Sequence, residues 1–198
     1  MEYILLLDAY ANQKVAVLND DRVLCENSSN LPHSDTFMQL IDLTLKQANV
    51  TVNDISKIVL NVGPGSFTGI RVAFSIAKGL GFGDDVKYLT YTSFDLLNSK
   101  KSEAVLINGF SNFVYIKHGI KMDCVAYESL DKDILYVTNS KIVKEKAEKY
   151  GLNVSFREEK STLEVYKKLS KKELNLNEIE PLYLRKSQAE IQREQRVK

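Results

Sequence analysis

The chain has 198 residues, 44% of them hydrophobic, and its 27 Lys and Arg against 26 Asp and Glu give a net charge of +1. That length allows one domain or two small ones with an ordinary core. Only two cysteines are present, Cys25 and Cys124, which excludes a disulfide framework and fits a reducing compartment. The first apolar run breaks at Asp8, so it predicts neither a signal peptide nor a membrane span, and we expect a soluble cytoplasmic protein.

Strand and helix patterns alternate through the first hundred residues. The predicted elements are strands at 2–7, 14–18 and 22–25, a helix at 35–50, a strand at 57–62, a helix at 70–82, a strand at 86–91 and a short helix at 94–98. Period-two apolar runs bounded by turn residues indicate the strands, and apolar spacing from Phe37 to Ala48 indicates the first helix. A glycine-rich turn at 63–69 joins the fourth strand to the second helix.

A similar order of elements starts again at residue 103. The predicted elements are strands at 103–108, 113–117, 121–127 and 134–138, a turn of helix at 128–132, and helices at 140–150 and 162–172. A β-β-β-α-β-α unit that occurs twice is typical of the α/β actin-like (ASKHA) class, which has two ribonuclease-H-like halves. We therefore predict an N-terminal ribonuclease-H-like subdomain at 1–100 and a smaller, degraded copy at 101–198 that ends in a polar tail from Lys186.

Positive charge gathers toward the C-terminus. Residues 139–198 carry 15 Lys and Arg against 10 Asp and Glu. Lysine and glutamate interleave there, as they do on any solvated helix face. No basic patch is interleaved with stacking aromatics, so the sequence favours a solvated surface over direct contact with RNA.

The most unusual stretch is Val62–Arg71, with the sequence VGPGSFTGIR, between a predicted buried strand and an apolar helix. Glycines permit a sharp turn that exposes amides at a helix N-terminus, where an anion is favoured. The spacing fits neither the Walker A pattern, because the lysine is missing, nor the dinucleotide fingerprint, because the third glycine arrives one residue late. A tight connection without any ligand is the alternative.

This stretch resembles the signature segment of the TsaB (YeaZ) family, GPGSFTGIR followed by VAFSIAKGLGFG. An opening strand that ends in Asp8, His33-Ser34 before the first helix, Thr92-Ser93 before the short helix and PLYLRKSQAE near the end agree with it. The resemblance covers residues 1–110 and extends only loosely beyond. It implies a non-catalytic subunit that pairs with TsaD, usually with the ATPase TsaE, to form N6-threonylcarbamoyladenosine at position 37 of tRNAs reading ANN codons. The tRNA would be contacted indirectly.

The residues argue against catalysis by this chain alone. TsaD-type proteins hold a metal with a His-x-x-x-His pair on the first helix, but here His33 is followed four residues later by Phe37, so we predict no metal site. Kinases of the actin-like class use Asp-x-Gly-Thr after the first strand, where this chain has Asp8-Ala9-Tyr10-Ala11. A small-molecule phosphotransferase and an M22-type glycoprotease-like peptidase remain the alternatives. No catalytic residue is predicted, since Ser66 and Thr68 lack an obvious base.

The second predicted helix is apolar around most of its circumference, because its polar side chains, Arg71, Ser75 and Lys78, form one narrow stripe. Such a helix needs a second cover besides its own sheet, either a partner or the first helix of the same chain. In the resembled family these two helices dock against TsaD, and the same surface can make a homodimer. The predicted partner-binding residues are Phe37, Leu40, Ile41, Ile70, Ala73, Phe74, Ala77 and Gly81.

No tightly bound cofactor is predicted. ATP or ADP near the partner junction is a further hypothesis, with the turn as the candidate anion site. Its predicted binding residues are Gly63, Gly65, Ser66, Thr68 and Gly69.

Overall fold

The computed structural model describes residues 2–20, 22–31, 33–83, 85–169 and 172–185, without the side chains of 33–35. The described chain forms two compact units. Unit 1 comprises residues 2–98 and 159–181, and unit 2 comprises residues 99–158 and 182–185. The polar tail predicted from Lys186 lies outside the described residues.

Unit 1 follows the predicted order of elements closely. Its elements are β1 (Tyr3–Asp8), β2 (Gln13–Leu18), β3 (Val23–Ser29), α1 (His33–Ala48), β4 (Ile55–Asn61), α2 (Phe67–Leu80), β5 (Lys87–Tyr91) and, from the later segment, α4 (Thr162–Lys168). Short 3₁₀ turns lie at Val52–Asp54, Ser93–Leu96 and Leu176–Glu178. The second helix begins three residues earlier than predicted because Ser66 caps it, its Oγ accepting a hydrogen bond from the amide of Gly69 at 3.2 Å.

The sheet of unit 1 has the strand order β3-β2-β1-β4-β5. β1 is antiparallel to β2 and parallel to β4, and β4 is parallel to β5. Both faces of the central strand β1 are buried, since Ile4 through Leu7 are all at most 1% exposed. Helices α1 and α2 contact each other and lie on one face, with α1 against β2 and β3 and α2 against β4 and β1.

The opposite face of this sheet is covered by the segment that returns at residue 159. Val165 of α4 is buried in one cluster with Ile4, Leu6, Ala16 and five other residues, and Leu163 and Leu169 pack against that cluster. The predicted division at residue 100 placed this segment with the second subdomain, whereas in the structure it packs with unit 1. The physical reason is that the sheet of unit 1 has a second apolar face, which α1 and α2 do not reach.

Unit 2 repeats the topology with fewer helices. Its elements are β6 (Glu103–Asn108), β7 (Phe113–His118), β8 (Lys121–Ala126), β9 (Leu135–Thr138), α3 (Lys141–Lys149) and β10 (Asn153–Phe156). The last strand was not predicted, because it has only four residues and one buried side chain, Val154. Between β8 and β9 stands a 3₁₀ turn, Tyr127–Ser129, where unit 1 has α1.

The sheet of unit 2 has the order β10-β9-β6-β7-β8, which is the order of unit 1 when each strand is matched to its counterpart. β6 is antiparallel to β7 and parallel to β9, as β1 is to β2 and β4. Helix α3 covers one face through Val143 and Ala147, which lie in one cluster with Ala104 and Leu106. The identical order and strand directions confirm the predicted fold class, two ribonuclease-H-like units of the actin-like kind.

Candidate partner-binding surface

A buried polar network lies where β1, β4 and β5 end. Asp8 is 2% exposed, and its Oδ2 accepts hydrogen bonds from Asn61 Nδ2 at 2.9 Å and from the Tyr91 hydroxyl at 2.6 Å. Its Oδ1 accepts a third, from the amide of Tyr10 at 3.0 Å. Burial nevertheless raises the pKa of Asp8, because desolvation of the carboxylate outweighs these donors. The pKa of Tyr91 is raised well above its usual value by burial and by the adjacent carboxylate.

This network fixes the glycine-rich loop that precedes α2. Asn61 Oδ1 accepts from the amide of Gly63 at 2.8 Å and from the Ser93 hydroxyl at 3.2 Å. Gly63 has a φ of 101°, which only glycine adopts readily. On the other side, the amide of Ser66 donates to the carbonyl of Tyr10 at 2.6 Å. The loop is therefore held to β1 and β4 by bonds within the chain.

The five predicted anion-binding residues do come together in this loop, but several of their amides already have acceptors. The amides of Gly63, Ser66 and Gly69 donate to Asn61, Tyr10 and the Ser66 hydroxyl, respectively. Gly65 lies so close to Tyr10 that a Cβ atom there would be 2.4 Å from its carbonyl oxygen. A phosphate group at these amides would have to displace Tyr10 and break the internal bonds. The geometry thus favours the alternative of a tight connection without a ligand.

The structure places the eight predicted partner-binding side chains inside unit 1 and not on its surface. Phe37, Ile41, Ala73 and Ala77 are at most 1% exposed, and Leu40, Ile70 and Phe74 are at most 9% exposed. Gly81 is buried against the Tyr88 hydroxyl. The prediction assigned these residues to a free face because α2 is apolar on two sides. The second side is covered by α1 of the same chain, as the alternative proposed.

Both helices of the α1–α2 pair carry exposed apolar side chains that the prediction left out. On α1, Met38 is 52% and Leu43 is 45% exposed. On α2, Phe67 is 42% exposed, and the guanidinium of Arg71 lies 3.8 Å from the centre of its ring. Phe82, just beyond α2, is 79% exposed. We call Met38, Leu43, Phe67, Arg71 and Phe82 the helix-pair surface.

A signal for this surface exists in the sequence. Met38 and Leu43 are apolar residues that do not share the stripe of Phe37, Ile41 and Leu45 on the same helix. An apolar side chain off the buried stripe of a helix marks an exposed position.

No three His, Cys, Asp or Glu side chains lie together as a metal site in the part of the chain described. The side chain of His33 lies outside that part. Among the described helices, none is long and apolar enough to cross a membrane.

Comparison with known proteins places the similarity in the N-terminal part. The model of the family described as "TsaD: tRNA N6-adenosine threonylcarbamoyltransferase" matches residues 27–95. A TsaB of Bacillus subtilis, named a tRNA threonylcarbamoyladenosine biosynthesis protein, is 33% identical over 85 residues, which are 42% of this chain and 37% of that protein. The TsaB of Haemophilus influenzae is 39% identical over 54 residues, 27% of this chain and 23% of the relative. The chain thus covers well under half the length of these curated relatives.

Two solved structures share the fold of the whole described chain. YeaZ from Pseudomonas aeruginosa has a TM-score of 0.68 at 18% identity, and covers 93% of this chain and 100% of its own. A second crystal structure, of an uncharacterized protein with similarity to peptidase YEAZ from Pseudomonas aeruginosa, has a TM-score of 0.70 at 18% identity and the same coverage. The sheets and the comparisons together define a protein with two ribonuclease-H-like units of the actin-like class. The resemblance to the TsaB (YeaZ) family that the sequence predicted is confirmed by the named relatives.

Proposed function

We propose that this chain is a non-catalytic subunit that pairs with a TsaD-type protein and enables formation of N6-threonylcarbamoyladenosine at position 37 of tRNAs reading ANN codons. The observation that carries the proposal is the helix-pair surface, which lies on and next to two helices within residues 27–95, the part of the chain that matches the TsaD family model. Its relatives are named for biosynthesis of this modification. The proposed site of action is the cytoplasm, where tRNA is modified.

The match to the TsaD family model supports this kind of pairing. Residues 27–95 contain both α1 and α2, so a TsaD-type protein has a counterpart of the same helix pair. Two related helix pairs can pack side by side in a pseudo-symmetric dimer. Exposed Met and Phe side chains beside an arginine are also the residue types enriched at protein interfaces. A homodimer through the same surface is the corresponding state of the chain without its partner.

The arrangement at the end of β1 supports the proposed non-catalytic role. In kinases of this class the residues after the first strand hold phosphate, whereas here the carbonyl of Tyr10 binds the loop and Asp8 is saturated with donors. The proposed role is to hold the partner in its competent conformation, with a TsaE-type ATPase joining the pair. A nucleotide at the junction would be bound mainly by the partner. Equilibrium dialysis of ATP and ADP against the chain and against the complex tests this point.

The interface is tested by Leu43→Asp and Phe67→Asp, each of which places a carboxylate in the contact. Both positions are exposed, so the fold should be unaffected. We expect each substitution to weaken capture by the TsaD-type partner by about 2 kcal/mol, roughly 30-fold, and to lower tRNA modification in the mixed system. The matched control is Ile142→Asp, which changes a 58% exposed apolar residue on α3 of unit 2.

Equal capture of all three variants would refute the helix-pair surface as the interface. ATPase and protease assays on the purified chain test the phosphotransferase and peptidase alternatives. Turnover in either assay by the isolated chain would contradict a non-catalytic role.

A further inference from the structure

The turn between β6 and β7 of unit 2 presents an aromatic side chain on a rigid support. Phe110 is 60% exposed at this turn, and its carbonyl accepts a hydrogen bond from the amide of Phe113 at 3.0 Å. Ser111 has a φ of 56°, and a Cβ atom at Gly109 would lie 2.3 Å from the carbonyl oxygen of Phe113. The backbone is therefore tightly constrained, and little entropy is lost when a ligand packs on the ring.

Two cations lie at this turn. The guanidinium of Arg185 lies 4.8 Å from the ring centre of Phe113 and 5.8 Å from that of Phe110. On α3, Lys146 Nζ donates a hydrogen bond to the carbonyl of Ser111 at 3.0 Å, which places its charge beside the same turn. Phe113 is itself 37% exposed. We call Phe110, Phe113, Lys146 and Arg185 the aromatic–basic cluster.

The sequence separates these residues by 75 positions, from 110 to 185, and so gave no sign of a basic patch interleaved with aromatics. The fold brings them together. Unit 2, which contains the cluster, also has a net positive charge, with 11 Lys and Arg against 8 Asp and Glu in residues 99–158 and 182–185. An exposed π-face with cations beside it is complementary to a base and its phosphates.

We propose that the aromatic–basic cluster binds single-stranded RNA, with one base stacked on Phe110 and the adjacent phosphates paired with Arg185 and Lys146. This would give the chain a direct contact with the tRNA, in addition to the indirect one implied by its resemblance to the TsaB family. The choice of RNA among anionic aromatic ligands rests on the proposed function. The arrangement of the cluster does not rest on the proposed function, because all four of its residues belong to unit 2.

The chain contains no tryptophan, which permits a site-specific test. Phe110→Trp introduces a single indole that retains the ability to stack, and a stacked base quenches its fluorescence. We expect saturable quenching by a 12-nucleotide oligouridylate added to the full chain at low salt. Two phosphate contacts give a slope of log affinity against log salt of about −1.4. The matched control is Ile120→Trp, at a 95% exposed isoleucine in the turn between β7 and β8, whose fluorescence should not change.

Removal of the ring provides the second measurement. Binding of a fluorescein-labelled oligouridylate, followed by anisotropy, should be about ten-fold weaker for Phe110→Ala than for the unaltered chain. Phe110→Trp should restore it.

Equal affinity of the Phe110→Ala variant, or equal quenching of both tryptophan variants, would overturn the proposal. Quenching by the TsaD-type partner but not by the oligonucleotide would also overturn it, and would identify the cluster as a protein contact. Quenching by RNA without capture of the partner would refute the proposed function and leave the RNA site standing.

Discussion

The two units share one sheet topology but differ in what covers it. In unit 1 the 16-residue helix α1 follows the antiparallel strands, whereas unit 2 has the three-residue turn Tyr127–Ser129 at the same place. The strands have changed accordingly. On the face of β7 and β8 that corresponds to the α1 side, His118, Lys121 and Asp123 are exposed polar residues.

A duplicated sheet can therefore lack a covering helix where the side chains on that face are polar. The copy that keeps both helices also keeps the helix-pair surface. Loss of the first helix in unit 2 therefore removes the surface that would let it pair in the same way. Under the proposed function, partner binding therefore falls to unit 1, and unit 2 is available for another contact.

We expect the largest effect on stability from a change in α4, the helix from late in the chain that covers the second face of the unit 1 sheet. Val165→Asp would place a carboxylate between α4 and the sheet, where Val165 is 4% exposed. We expect the free energy of unfolding to fall by at least about 3 kcal/mol, because a buried charge without a partner is strongly destabilising. Chemical denaturation followed by circular dichroism measures it. Lys167→Asp on the exposed side of the same helix is the control, and comparable losses for the two would show that α4 is not a cover.

An intermediate effect on stability is expected from two buried tyrosines, one in each unit, whose hydroxyl groups differ in hydrogen bonding. Tyr91→Phe removes a hydroxyl that donates to Asp8, and we expect a loss of about 2 kcal/mol. The Tyr127 hydroxyl is buried and has no hydrogen-bond partner among the described residues. Burial raises its pKa to about 12. Tyr127→Phe should therefore leave stability unchanged or raise it by up to about 1 kcal/mol. A larger loss for Tyr127→Phe than for Tyr91→Phe in thermal unfolding would contradict this order.

The smallest expected effect is on the pH dependence of stability, which has opposite directions for the carboxyl groups of Asp8 and Glu103. Burial raises the pKa of Asp8 above its usual 3.8, so its stabilising contribution is greatest at acid pH and falls as the pH rises through the folded-state pKa. Glu103 pairs with Arg157 at 2.7 Å, which lowers its pKa below 4.5, so its contribution is lost as the pH falls. From pH 7 to 3.5, the stability difference between the unaltered chain and Asp8→Asn should grow. The difference from Glu103→Gln should shrink, and parallel trends in urea unfolding would refute the assignment.

Most of the fold could be predicted from the sequence because apolar periodicity is a local property. The strands and helices of unit 1 and the three-stranded start of unit 2 lie within a few residues of their predicted bounds. Strand β10 and the return of residues 159–181 to unit 1 were missed. Neither has a local signature, since the docking of α4 depends on an apolar sheet face formed by residues between positions 4 and 96.

The site was less predictable for a related reason. The sequence shows that α2 is apolar on two sides, but Ala73 and Ala77 become surface or core depending on whether α1 lies against them. That packing is a tertiary property. Similarly, the loop glycines suggested an anion site, and only the structure shows Tyr10 bonded to the amide of Ser66.

The return of residues 159–181 has a consequence for synthesis of the chain. Proteins with several domains commonly fold from the N-terminus as they leave the ribosome. Here the first-made sheet exposes one apolar face until α4 emerges, after the strands of unit 2 have been translated. Unit 1 is thus begun first but completed only after the strands of unit 2 have been made.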